Sequence, residues 1–234
     1  DDNYIYKKNA DVKRAQASTT KLMSAVIALE SGKIGNTTAI SYNAANTPYG
    51  CLYMSTGDKY RNMDLLYAMM LPSANDAATA MAEGISGSVS KFVSQMNKKA
   101  YYLGLKNTHF VNPHGLDAYN HYTSASDLAR LTAYAYKKET LRKMWLTKTY
   151  SFKSRRYGRS HTLRNTDELI GYKAGFKGGK TGTEDNAGYC FTGVYVCKGK
   201  TYVTTVLGCG SEEKRWDDTK KLHKYIETYS GSVY

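Results

Sequence analysis

The chain has 234 residues, 41% of them hydrophobic, which is enough to bury a substantial core as one large domain or two intergrown lobes. Its longest apolar run, near residues 22–29, falls far short of the roughly 20 residues that a membrane-spanning helix needs. The net charge of +13 suits polyanionic partners such as acidic polymers or anionic lipid, but the basic residues are scattered and no nucleic-acid-binding signature accompanies them, so solubility is the larger reading.

Residues 3–11 (NYIYKKNAD) predict a short strand and turn. A helix over 18–30 follows, with Gly32 as its C-terminal cap. Residues 36–60 read as loops and short strands. A helical pattern over 62–71 stops at Pro72, and a further helix starts in SANDAATAMAEG and ends at Gly84. Residues 90–104 are amphipathic and close on glycine. Residues 123–139 open with Ser124 and Asp127, spaced as in a capping box. The last third is β-rich. KTYSFKS and RSHTLRN pair as a hairpin around Tyr157 and Gly158, and AGYCFTGVYVC and KTYVTTVLGC are joined by a tight turn at KGK. Residues 213–229 close as a helix. The predicted fold class is α/β (α+β): an antiparallel sheet flanked by helices, plus an all-helical lobe over about 36–145 inserted into the sheet lobe of a single domain spanning 1–234.

Four cysteines, at 51, 190, 197 and 209, permit three pairings, but no CxxC occurs, so a zinc or redox motif is not expected and buried free thiols are. His109, His114, Asp117 and His121 lie close in sequence, yet no metal signature accompanies them. The loop NPHGLD reads instead as a turn shaped by side-chain hydrogen bonds. Neither a metal nor a cofactor is called for.

The chemistry begins in QASTTKLMSAVIALESG, where seven of the eight residues from Leu22 to Leu29 are apolar. A lysine at the entrance of so apolar a helix is costly unless it has a partner or a role. Ser18 lies three residues before Lys21, on the same helical face. A desolvated lysine with a lowered pKa is a base able to activate a serine. SxxK occurs twice more, at Ser88–Lys91 and Ser211–Lys214, but there in polar settings. Two further triplets support the first. Ser73 and Asn75 sit in a turn between helices, and Lys180, Thr181 and Gly182 form the only KTG, just before the β-rich run.

SxxK, SxN and KTG are the set shared by penicillin-binding proteins and class A β-lactamases. The chain resembles the serine D-alanyl-D-alanine carboxypeptidases among the low-molecular-mass penicillin-binding proteins. The likeness extends through NADVKRAQASTTKLMSAVIALE, MMLPSANDAATAMAE, NPHGLD, TSASDLARL, KTGTEDNAGYC and VLGCGSEEKRWDDTKKLHKY. The resemblance implies that Ser18 attacks the carbonyl between two terminal D-alanines of a peptidoglycan stem peptide while Lys21 accepts its proton. Ser73 relays a proton to the leaving D-alanine, Asn75 positions Lys21 and the peptide, and Lys180 supplies positive field. Thr181 and Arg215 hold the terminal carboxylate, Gly182 lets an extended peptide lie close, and the amides of Ser18 and Thr183 receive the oxyanion. It further implies acylation by β-lactams and a place outside the cytoplasm, at the bacterial envelope, where the positive charge suits anionic wall polymers or a membrane surface. Such proteins often carry a further β-rich domain and an amphipathic anchor, and neither these nor a signal peptide is found in this sequence. Rival readings are a β-lactamase, a transpeptidase and a non-catalytic wall- or polyanion-binding module. No ExxxN segment resembles the deacylating loop of class A β-lactamases.

Overall fold

The computed structural model describes residues 3–231. A 3-10 turn, Ala17–Thr20, runs into helix α1 (Lys21–Glu30), and every residue from Lys21 to Ala28 is buried, as its apolar run requires. Strand β1 (Thr37–Ala39), helix α2 (Tyr42–Ala45) and strand β2 (Lys59–Arg61) precede the helices α3 (Asn62–Met70), α4 (Asn75–Ser86) and α5 (Val89–Tyr102). Helices α6 (Ala125–Tyr136) and α7 (Glu139–Trp145) follow. The chain then forms the hairpin β3 (Thr149–Lys153) and β4 (Ser160–Arg164), the strands β5 (Phe176–Glu184), β6 (Gly188–Cys197) and β7 (Lys200–Cys209), and helix α8 (Glu212–Gly231).

Strands β5, β6 and β7 make an antiparallel sheet in that order, so β5 is an edge strand. Alternation along β6 serves both faces. Val194 joins the core built from α1 and α3 to α6, and Thr192 bonds to Thr132 of α6 at 2.7 Å. On the other face Phe191 and Tyr195 pack with Trp216 and Ile226 of α8. Helices on both faces explain why the middle of β6 is continuously buried rather than alternating. All four cysteines are free: Cys190 and Cys209 are buried, Cys51 and Cys197 half-buried.

Four expectations need correction. Residues 3–11 form no strand. Ile5 and Tyr6 lie along α8, where the Tyr225 hydroxyl donates to the Ile5 carbonyl at 3.1 Å and the Tyr6 and Tyr225 rings meet, while a two-bond bridge ties Arg14 to Thr123 instead of to the sheet. The capping box at Ser124 is built differently, because the Ser124 hydroxyl accepts from the Asp127 amide but the Asp127 carboxylate is taken by the Asn107 amide and the Thr108 hydroxyl. The helix expected to run to 139 breaks at Lys137–Lys138, and α7 starts after the extended Lys138. Gly84 does not end α4. The helix continues to Ser86 and stops at Gly87, which takes the left-handed conformation (φ 79°).

Gly84 has a packing role instead. A Cβ built there would lie 1.9 Å from the Thr38 hydroxyl of β1, so α4 and β1 touch where the glycine lacks a side chain. Gly84→Ala is therefore expected to destabilise the protein by about 1–3 kcal/mol through overpacking, although alanine is the better helix former by about 1 kcal/mol. Urea unfolding measures the difference, and an unchanged or raised midpoint would contradict the packing.

Candidate active site

The 3-10 turn places Ser18 and Lys21 three residues apart on one side, since residues at that spacing eclipse in a 3-10 helix. Lys21 is wholly buried, and its ammonium donates to Ser18 Oγ at 2.7 Å, Asn75 Oδ1 at 2.6 Å and the His114 carbonyl at 2.6 Å. Three acceptors match the three N–H bonds of an ammonium. Burial pulls Lys21 far below the usual lysine range, and the charge of Lys180 lowers it further; Glu184, Cys51 and Asp76 act in the opposite sense. As the amine loses a proton its lone pair becomes available to the Ser18 hydroxyl.

Asn75 opens α4 with its side chain held from both ends. Its Nδ2 donates to the Tyr49 carbonyl at 3.1 Å, which leaves Oδ1 aimed at Lys21. Ser73 precedes it in the turn after α3, with a left-handed backbone (φ 67°) that is costly for a residue other than glycine and is found preferentially at functional sites. Its Oγ accepts from Lys180 Nζ at 3.0 Å, and the same ammonium donates to the Thr181 carbonyl at 2.9 Å. Lys180 is buried on β5; burial first, then the Arg215 guanidinium, brings it down to about 7, against the opposing influence of Asp167.

Beyond Lys180, β5 passes directly over the 3-10 turn. A Cβ on Gly182 would sit 3.1 Å from the amide nitrogens of Ser18 and Thr19, so the strand lies tight against the turn where the glycine lacks a side chain. Thr183 is exposed at the end of this edge and accepts from Arg215 Nη1 at 3.4 Å. Arg215 is buried at the start of α8, paired with Glu212 and stacked 4.3 Å from the Trp216 ring. Thus Ser18, Lys21 and Asn75 form one hydrogen-bonded group, Ser73 and Lys180 a second, and Gly182 abuts the serine turn. Thr183 and Arg215 meet at the end of the edge strand. The Thr181 hydroxyl bonds to that of Thr166 at 2.6 Å, and among these strand residues it is Thr183 that contacts Arg215.

The sequence reading left out the His114 carbonyl. The NPHGLD loop is shaped as expected, with Asn112 Oδ1 accepting from the Gly115 amide at 2.7 Å. That turn also directs the His114 carbonyl at Lys21, and the Ser24 hydroxyl fastens the loop to α1 through the Pro113 carbonyl at 2.6 Å. His121 is equally tied in. The Val111 amide donates to its Nδ1 at 2.9 Å, so the neutral ring carries its proton on Nε2 and donates it to Thr20 Oγ1 at 2.8 Å. Burial lowers His114 to about 3 and His121 to about 4. His109 bonds to the Asn120 carbonyl, and among the described residues no cluster of metal-ligating side chains forms.

A sequence profile described as D-alanyl-D-alanine carboxypeptidase, of peptidase family S11, matches residues 2–211. The chain is 36% identical over 224 residues to D-alanyl-D-alanine carboxypeptidase DacF of Bacillus subtilis (strain 168), covering 93% of this chain and 57% of that protein. It is 34% identical over 238 residues to the D-alanyl-D-alanine carboxypeptidase of Streptomyces sp. (strain K15), covering 94% of this chain and 81% of the relative. The crystal structure of the DD-transpeptidase from that Streptomyces strain superposes with a TM-score of 0.87 at 33% identity, covering 94% and 90% of the two chains. This chain belongs to the D-alanyl-D-alanine carboxypeptidase family, and it spans little more than half the length of the Bacillus relative.

The buried histidines behind the lysine set a pH dependence. Between pH 6.5 and about 4, unfolded imidazoles bind protons that folded His114 and His121 refuse, so stability falls as pH falls through that window, by up to about 1.4 kcal/mol per pH unit for each ring. His121→Asn, which keeps an acceptor for the Val111 amide, is expected to flatten this slope by one proton. Chemical denaturation at pH 6.5, 5.5 and 4.5 measures it, and an identical slope in the variant would show that His121 does not contribute.

Proposed function

We propose that this chain is a serine D,D-carboxypeptidase that removes the terminal D-alanine from peptidoglycan stem peptides through an acyl-enzyme on Ser18. The observation that carries the reading is the 2.7 Å contact between Ser18 Oγ and a lysine that burial keeps from holding its proton firmly. Neutral Lys21 takes the hydroxyl proton as Ser18 attacks the carbonyl between the two D-alanines. The amides of Ser18, in the turn, and Thr183, on the edge strand that passes over it, are suited to receive the oxyanion. Ser73, hydrogen-bonded to Lys180, passes a proton to the leaving amine, and Asn75 holds Lys21 in line. Arg215 and Thr183, with Thr181 and Gly182 along the strand, suit the free carboxylate of the substrate. Water then releases the shortened peptide. We read the whole chain as one catalytic domain whose helical segment is inserted into the sheet-bearing part.

A β-lactam offers the same carbonyl and carboxylate, so it acylates Ser18 as an inhibitor. Transpeptidation is the second reading, favoured by the structural likeness to a protein named DD-transpeptidase; it differs only in that an amine replaces water as acceptor. Such a substrate places the protein outside the cytoplasm, at the bacterial envelope. There its charge, including the exposed Lys153, Arg155, Arg156 and Arg159 near the tip of the β3–β4 hairpin, suits anionic wall polymers or lipid headgroups.

After incubation with benzylpenicillin, intact mass spectrometry is expected to show one penicilloyl adduct on the wild type and none on Ser18→Ala, whose D-alanine release from a D-Ala-D-Ala peptide falls by at least about 1,000-fold. An adduct lost within seconds would favour a β-lactamase, and no adduct on folded wild type would favour a non-catalytic binding module. Co-sedimentation with an anionic wall polymer is expected to weaken steeply between 50 and 500 mM salt; salt-insensitive binding would contradict the electrostatic reading.

A further inference from the structure

The turn over residues 165–169 has no part in the scheme above, yet it touches both halves of the Ser73–Lys180 pair. The Thr166 amide donates to the Leu71 carbonyl at 3.1 Å, two residues before Ser73. The Thr166 hydroxyl bonds to Thr181, next to Lys180, at 2.6 Å. Asn165 anchors the turn, its Nδ2 donating to the Thr147 carbonyl at 3.0 Å and its Oδ1 accepting from the Asp167 amide at 2.9 Å. Asp167 itself is 5% exposed. Its Oδ1 accepts from the Leu169 amide at 2.9 Å, while its Oδ2 is buried and has no hydrogen-bond partner among the described residues.

A buried carboxyl oxygen left in this state is unfavourable for folding. The Thr166–Thr181 bond sets this buried carboxyl on the segment alongside Lys180, and although burial raises it, the charges of Arg215 from α8 and Lys180 from β5 pull it down. Among the described residues, burial and the Arg215 guanidinium lower Lys180 and Asp167 opposes them, while Lys180 in turn lowers Lys21. Resting on the functional reading above, we propose that Asp167 is a positioning residue: the counter-charge that keeps Lys180 an ammonium donating to Ser73 in the presence of Arg215. Burial raises the Asp167 carboxyl to about 7 and burial with Arg215 lowers Lys180 to about 7, so the two side chains meet in the neutral range.

The test uses Asp167→Asn, which is isosteric and keeps an acceptor for the Leu169 amide. Lysine 15Nζ NMR follows the Lys180 titration, assigned by its loss in Lys180→Gln. The titration is expected to move down by about one pH unit or more in Asp167→Asn, and an unmoved titration overturns the proposal whether or not the protein is acylated. The second-order rate of Ser18 acylation by benzylpenicillin is expected to stay within about twofold of wild type at pH 6 and to fall about tenfold at pH 8.5. Thermal stability at pH 8 should be equal or higher, because a buried carboxylate is removed. Equal loss of rate at every pH together with a lower melting temperature would show a structural buttress and overturn the counter-charge. Failure of the functional reading shows separately, as a folded wild type with no penicilloyl adduct.

Discussion

Taking an ammonium group out of water costs several kcal/mol, and a protein recovers this only where each N–H finds an acceptor in good geometry. Lys21 meets that condition with acceptors from three parts of the chain: Ser18 three residues away, Asn75 fifty-four away and the His114 carbonyl ninety-three away. The serine turn, the start of α4 and the 112–116 loop must therefore all be in place before the lysine can be buried. Much of the surrounding architecture follows from that demand. Asn112 shapes the loop that presents His114, Ser24 fastens that loop to α1, and the Tyr49 carbonyl fixes the direction of the Asn75 amide.

The second buried cation extends the same logic. Arg215 lowers Lys180 and Lys180 lowers Lys21, so positive groups run from α8 through β5 to α1, each disfavouring the proton on the next. Arg215 is the far end of the series, where its guanidinium meets Thr183. At the serine end, burial and the charge of Lys180 loosen the proton of Lys21. A substrate with an anionic terminus and a carbonyl a few atoms away would span these two ends in a single orientation.

How much of this was legible in the sequence depends on what kind of group carries each function. Side chains in fixed triplets were legible, and the structure gathers Ser18, Lys21, Ser73, Asn75 and Lys180 from the SxxK, SxN and KTG segments. Main-chain groups were not. The His114 carbonyl has no residue signature, because any amino acid supplies a carbonyl and only the fold decides where it points. Helices with buried apolar faces and strong turn residues were also readable. Gly84 misled because glycine serves close packing as readily as helix termination, and only the position of Thr38 distinguishes the two roles. The strand expected at residues 3–11 failed for a similar reason, since tyrosine and isoleucine suit a strand or a helix surface, and here α8 provides the surface. Asp167 was invisible to motif reasoning because its neighbours come from two other elements and its own segment is an ordinary-looking turn.

The serine turn is bracketed by two glycines that sequence spacing alone does not connect. A Cβ on Gly182 would approach the Ser18 amide to 3.1 Å from the strand side, and one on Gly115 would approach the Ala17 carbonyl to 2.0 Å from the loop side. Ala17 between them has a left-handed backbone (φ 47°), which is unfavourable for alanine and persists only where the surroundings over-determine it. The strand, the loop and the buried lysine together supply that constraint, and its effect is to fix the direction of the Ser18 amide as well as that of its hydroxyl. If the amide is to meet developing negative charge, its orientation must be set before the reaction, because reorganisation during the reaction would subtract from its benefit. The two absent side chains are therefore as much a part of the site as the two lysines: the lysines set the charge at Ser18, and the glycines set its position.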